Sequence, residues 1–217
     1  AARASTCKSN LRNLALACLN YENAQGALPM GFPQQPARDE SWGWSTYILP
    51  YLEQQDLHNA LGVTERRLMD LFIAAGRTID APDVRLLQTP LSIYRCPSDE
   101  TPPLVPCCDE GSRHFNGNHT PSRFEPATSN YVGVRGFLDR RCTGDDCENN
   151  GLLFGNRQVS LEEITDGTSN TFMLGERGSL GKAATWIGVR NPRGSGMYGC
   201  HWVLGRVSIR LNFPLTG

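Results

Sequence analysis

Ala1-Ala-Arg-Ala-Ser-Thr-Cys7-Lys-Ser-Asn-Leu11-Arg-Asn-Leu14-Ala-Leu16-Ala-Cys18-Leu19-Asn-Tyr21-Glu-Asn-Ala-Gln-Gly26 is the stretch whose reading decides the fold. Ala4, Cys7, Leu11, Leu14, Cys18 and Tyr21 recur at intervals of three and four, which places them on one face of a helix. No proline interrupts the run. Gly26 stands where a helix stops, with Pro29 shortly after. Leu16 and Leu19 form a second apolar strip. A helix with two apolar faces packs against more than one thing. Either other subunits or the chain's own 44–60 segment is expected to cover that strip. The pattern begins without a cap, so it reads as the lower half of a longer helix.

Composition narrows the rest. The 217 residues carry 21 Lys+Arg and 22 Asp+Glu, a formal charge of −1. That balance argues against a nucleic-acid partner or a basic membrane-binding surface. No window holds the roughly 20 apolar residues of a membrane-spanning helix. The 22 Gly and 14 Pro predict many turns and a partly β structure. Eight cysteines (7, 18, 96, 107, 108, 142, 147 and 200), dispersed rather than in metal-type pairs, suit an oxidising compartment.

Working outward, residues 27–41 read as a surface loop. Trp44, Ile48, Tyr51, Leu52 and Leu57 give a helical pattern divided by Pro50. Residues 65–75 read as an amphipathic helix buried through Leu68, Leu71, Phe72 and Ala75, and 83–88 add one more turn. The character changes at Leu91. Residues 91–96 alternate as a strand that Pro97 ends. Residues 129–134, 151–154, 170–176, 184–190 and 200–211 are expected to complete an antiparallel sheet, interrupted by loops at 100–128 and 139–150. Ser160 and Glu163 are spaced as a capping box. Helices first and strands later predict an α+β domain spanning 1–217: the helix 1–26, a helical region 27–90 and a sheet region 91–217.

Several stretches, taken in order, resemble a known family. They are Cys7-Lys-Ser-Asn-Leu-Arg-Asn-Leu14 with Asn20-Tyr21, then Leu28-Pro29, then Ser41-Trp-Gly-Trp-Ser45 with Ile48-Leu-Pro-Tyr-Leu-Glu-Gln54. Tyr94-Arg-Cys-Pro-Ser-Asp99, Ser129-Asn-Tyr131 and Ile164-Thr-Asp-Gly-Thr-Ser-Asn-Thr171 with Gly175-Glu176 follow. Together they resemble the planctomycete-type prepilin-like proteins, a domain of unknown function. The resemblance implies a pseudopilin or type IV pilin-like architecture, with a long N-terminal helix packed on an antiparallel sheet. It implies a prepilin leader and an apolar helix ahead of the cysteine motif, through which the protein meets the membrane, other pilin-like subunits and the assembly machinery. It places the protein extracytoplasmically, in the cell envelope. The family's C-terminal His-to-Asp-Gly motif is missing, since no Asp-Gly follows His201. Without that upstream helix the chain is expected to be monomeric, with Leu11, Leu14, Leu16, Cys18 and Leu19 as its packing and assembly residues.

Cys7 and Cys96 lie in the two cysteine-bearing motifs of that resemblance. A bridge between them would staple the helix to the first strand, closing a long loop; two buried free thiols are the alternative. Cys142 and Cys147 flank a short loop that a local bridge could close. Cys107, Cys108, His114 and His119 offer zinc-type donors, although adjacent cysteines rarely aim at one ion. Asp166 and Asn170, or Asp145 and Asp146 with Glu148, could offer oxygens to calcium; a tight Asp-Gly turn and a solvated acidic loop are the plainer readings. No cofactor is otherwise indicated. Hydrolase and protease motifs are missing, and the glycines of 175–182 do not make a phosphate loop. The leading expectation is therefore a non-enzymatic structural subunit. The competing one is a solute- or glycan-binding module using Trp42, Trp44, Trp186 and Trp202.

Overall fold

A computed structural model of the chain describes residues 2–33, 39–107, 115–136, 151–178, 184–190 and 203–205. Helix α1 (Ala2–Gln25) ends as its sequence requires: Gly26 takes the left-handed conformation at φ 80 and its N–H reaches Glu22 O at 2.7 Å. Cys7, Leu14, Ala17 and Cys18 are buried, and Leu11 and Tyr21 are half-buried. The expected face is correct from Cys7 onward. Ala4 is exposed, because the first turn carries no buried residue.

Strand β1 (Ser41–Trp42) and α2 (Trp44–Tyr47) follow, then a 3-10 helix at Leu49–Leu52 with Pro50 as its second residue. Glu53, at φ 59, turns the chain into α3 (Gln55–Leu61), which Gly62 ends at φ 62. Pro50 thus divides the helical pattern, as its missing N–H dictates. Helix α4 (Leu68–Ala74) buries Leu68, Met69, Leu71 and Phe72, and α5 (Pro82–Leu86) buries Val84. Arg66 joins these helices. Its Nε donates to Leu61 O at 2.9 Å at the end of α3, and its Nη2 meets Asp83 Oδ2 of α5 at 2.9 Å.

The segment after Leu91 is not a strand. Ser92–Tyr94 is a 3-10 helix. Leu91 and Tyr94, three residues apart, both turn inward, and the N–H groups of Tyr94 and Arg95 bond locally to Leu91 O and Ser92 O. Local bonding has displaced a sheet ladder. The 151–154 strand is likewise absent. Leu152 and Leu153 both donate to Val134 O, and Phe154 makes only an isolated bridge, to Arg157.

The sheets are small. Strands β2 (Thr128–Ser129), β3 (Tyr131–Val134), β4 (Leu174–Glu176), β5 (Ala184–Thr185), β6 (Gly188–Val189) and β7 (Leu204–Gly205) form two pairs and one triplet with β1. The pairs β1–β6, β2–β5 and β3–β4 are antiparallel, but β3–β7 is parallel, so among the described residues the expected antiparallel sheet becomes three small ones with one parallel edge. Between β3 and β4, Leu161–Glu163 forms a 3-10 helix with the capping box of Ser160 and Glu163. The architecture is mixed α+β with its long helix at the N-terminus.

Two aromatic groups fill the core. Tyr94 stacks on Trp186 with centroids 6.3 Å apart and meets Trp44 edge-on at 6.4 Å. Phe124 meets Phe72 and Phe115 edge-on at 5.3 and 5.9 Å. Edge-on and offset contacts suit the ring quadrupole. No helix among the described residues is long and apolar enough to cross a membrane.

Candidate functional site: the anchor of the first helix

Helix α1 lies against the Leu49–Leu52 turn, the Ser92–Tyr94 turn and β4. The expected bridge exists: Cys7 and Cys96 form a disulfide across 89 residues, with Cα atoms 4.8 Å apart. One turn later, Asn10 Nδ2 donates to Arg95 O at 2.9 Å and to Ser92 O at 3.3 Å. The Tyr131 hydroxyl donates to Cys7 O at 3.1 Å, and burial pushes that phenol up to about 12.

Asn130, only 1% exposed, is the hub behind this anchor. Its Oδ1 accepts the Cys96 N–H at 2.9 Å, and its Nδ2 donates to Asp99 Oδ2 at 2.7 Å and to Arg177 O at 3.3 Å. Its backbone N–H reaches Tyr94 O at 2.8 Å, while its carbonyl accepts from Arg177 N–H at 2.7 Å. Asp99 also accepts the Thr101 N–H at 3.1 Å and the Thr101 hydroxyl. Four of the sequence stretches (7–14, 94–99, 129–131 and 175–176) thus meet at one place. Glu176 stands beside the disulfide, its carboxylate within 4.8 Å of both sulfurs.

The Ser41–Ser45 stretch is a second joint. Trp42 Nε1 donates to Arg66 O at 2.7 Å, Trp44 Nε1 to Val203 O at 2.9 Å, and Ser45 Oγ to Trp186 O at 2.6 Å. Tyr94 OH returns a bond to Ser45 O at 2.7 Å. Three of the four tryptophans expected to stack on a ligand are therefore core: Trp42 is 2% exposed, and Trp44 and Trp186 are buried with it. A large indole with its N–H satisfied by backbone gains more from burial than from the surface.

Leu14 and Cys18 are fully buried, and Leu11 packs half-buried against the core. Cys18 is a free thiol whose pKa burial pushes strongly upward, so it is inert packing. Leu16 and Leu19 are 46% and 38% exposed, so the 44–60 segment does not cover them. The calcium reading of Asp166 and Asn170 gives way to a turn. Gly167 sits at φ 89, Thr171 Oγ1 donates to Asp166 Oδ1 at 3.0 Å, and Asn170 Nδ2 donates to Asp166 O at 3.2 Å. The zinc grouping also gives way, because Cys107 is held in a disulfide. Cys142, Cys147, Asp145, Asp146, Glu148, Cys108, His114 and Trp202 lie outside the described residues.

His119 has partners that the sequence did not suggest. Asp39 and Glu40, 4% and 0% exposed, receive it. His119 N–H, Thr120 N–H and Thr120 Oγ1 all donate to Glu40 Oε1, at 2.8, 2.7 and 2.6 Å. His119 Nδ1 lies 3.2 Å from Glu40 Oε2 and 3.4 Å from Asp39 Oδ1. Two acids at the end of a polar loop read as surface, and nothing in the pattern paired them with a histidine 79 residues away.

No curated protein and no solved structure gives a significant match to the chain. A family model described as a protein of unknown function (DUF1559), with the label SBP_bac_10, matches residues 1–206. The anchor built by Cys7, Cys96 and Asn130 is thus the joint of a chain that belongs to the DUF1559 family of proteins of unknown function.

Proposed function

We propose that this chain is the extracytoplasmic part of a pilin- or pseudopilin-like structural subunit of the cell envelope, one that assembles with further copies through its first helix. The observation that carries this reading is that α1 is fastened on one face only. The disulfide, Asn10 and Tyr131 all fasten α1 to the body, while the opposite side of the helix keeps Leu16 and Leu19 in solvent. A helix held so firmly on one side and left apolar on the other suits presentation to a neighbour. The disulfide suits an exported protein. The competing glycan-binding reading loses support, since Trp42, Trp44 and Trp186 have no open face on which a sugar could stack.

The test is to express the full reading frame in a piliated host with a photo-crosslinking residue at position 16 or 19. Crosslinked oligomers in the membrane or sheared-filament fraction are expected. A protein that stays wholly soluble and crosslinks to no copy of itself would sink the proposal.

A further inference from the structure

We infer that Asp39, Glu40 and His119 form a binding site for one first-row divalent cation of the zinc type. The three donor atoms come from two distant parts of the chain and all lie within 4.8 Å of one another. His119 Nδ1 stands 3.2 Å from Glu40 Oε2 and 3.4 Å from Asp39 Oδ1. With metal–ligand bonds of about 2.0–2.2 Å, neighbouring donors in a tetrahedral site stand about 3.3–3.5 Å apart. The imidazole nitrogen therefore already stands near coordination spacing from each carboxylate, and the two carboxylates lie within 4.8 Å of one another.

Hydrogen bonding leaves one imidazole nitrogen shared between two acids. One ring nitrogen carries at most one hydrogen, yet two buried carboxylate oxygens face it. Glu40 is wholly buried, and its Oε2 has no partner but that nitrogen among the described residues. Asp39 has a single hydrogen bond there, from Asn118 Nδ2 at 3.2 Å. Arg67 acts on Asp39 through space, but its guanidinium is committed to Asp70, with bonds of 2.8 and 2.7 Å. Among the described residues, two buried carboxylates facing one imidazole leave negative charge without a matched cation, which is costly in a largely buried site. A divalent ion in place of the ring proton takes all three donors and neutralises both acids.

The donor set selects the ion. An imidazole with two carboxylates suits zinc and its first-row neighbours better than calcium or magnesium, which favour all-oxygen shells. Glu40 Oε1, held by three donors from 119–120, fixes the ligand carboxylate from behind. The role is structural: the ion clamps the 115–120 segment onto the residues that lead into β1.

The experiment uses tag-free full chain with its disulfides intact, stripped with chelator and titrated with zinc chloride by calorimetry. One equivalent is expected, with Kd below about 10 μM, and the zinc should raise Tm. H119A keeps the backbone N–H that holds Glu40, and should weaken binding at least about 30-fold; D39N should weaken it at least about tenfold. Cobalt should give the d–d absorption of a tetrahedral site in the wild type and lose it in H119A. No saturable binding below about 100 μM, or equal binding by wild type and H119A, overturns the inference. If H119A fails to fold, D39N decides by the same criterion.

Discussion

Replacing both Cys7 and Cys96 by alanine removes the staple and nothing else of comparable reach. The bridge spans a sequence separation of 89. In the chain-entropy model a closed loop of that length is worth about 4.6 kcal/mol, all of it through restriction of the unfolded chain. The native state should lose less. Leu14, Ala17 and Cys18 stay buried, and Asn10 still bonds Arg95 O and Ser92 O, so the helix remains docked. At about 2–4 °C per kcal/mol for a chain of this size, Tm should fall by roughly 10–18 °C. Substitution is preferable to a reducing agent, which would also open the disulfide at Cys107. Urea unfolding reads both the stability and its denaturant slope, and the slope should rise because the uncrosslinked chain exposes more surface. A loss below about 1 kcal/mol with an unchanged slope would refute the reasoning: the unfolded chain would then be compact across this span with or without the bridge.

Two further perturbations separate the faces and the protonation states. Leu14→Asp should cost more than about 3 kcal/mol in urea unfolding, because position 14 is 0% exposed and offers a carboxylate no partner; Leu16→Asp, at 46% exposure, should stay within about 0.5 kcal/mol. His58 is a pH probe: burial holds its pKa below the ordinary value, with Asn59 and Glu65 only partly restoring it. The unfolded chain therefore binds this proton more readily, so the stabilisation is complete above about pH 6.5 and is lost as pH falls through the folded value. His58→Leu should show a shallower loss of urea midpoint on acidification than wild type, and an identical slope would remove His58 as the cause.

Much of this fold was legible because its signals are local. The helix, its stop at Gly26 and the break at Pro50 each follow from the conformational limits of a few neighbouring residues. Residues 91–96 misled because alternation over so few positions fits a strand and a 3-10 turn alike. The decision fell to Tyr94, whose ring had to reach Trp186 and whose hydroxyl had to reach Ser45 O. The sheet pairings were illegible, since strands of two to four residues carry too little periodicity to set a register. The Asp39–Glu40–His119 group was hidden for a stronger reason: two acids and a histidine look solvated until the fold buries them together.

The tryptophans show why motif-bearing residues need a structural reading before a chemical one. Trp42 and Trp44, read from sequence, are aromatic surfaces for a ligand; in place, their N–H groups hold Arg66 O and Val203 O. Asn130 is similar. Its side chain joins Cys96 to Asp99 and to the strand end at Arg177. The small sheets cannot stabilise themselves by ladder length, because each offers only a few paired residues. Side-chain bonds to backbone therefore take over the work of longer strands, and the residues that make those bonds are the ones that stand out as motifs. In a chain built this way, the groups to test for function are those whose apolar surface or polar atoms the joints leave underused. Leu16 and Leu19 on the outer face, and the shared imidazole between Asp39 and Glu40, meet that condition; the tryptophans do not.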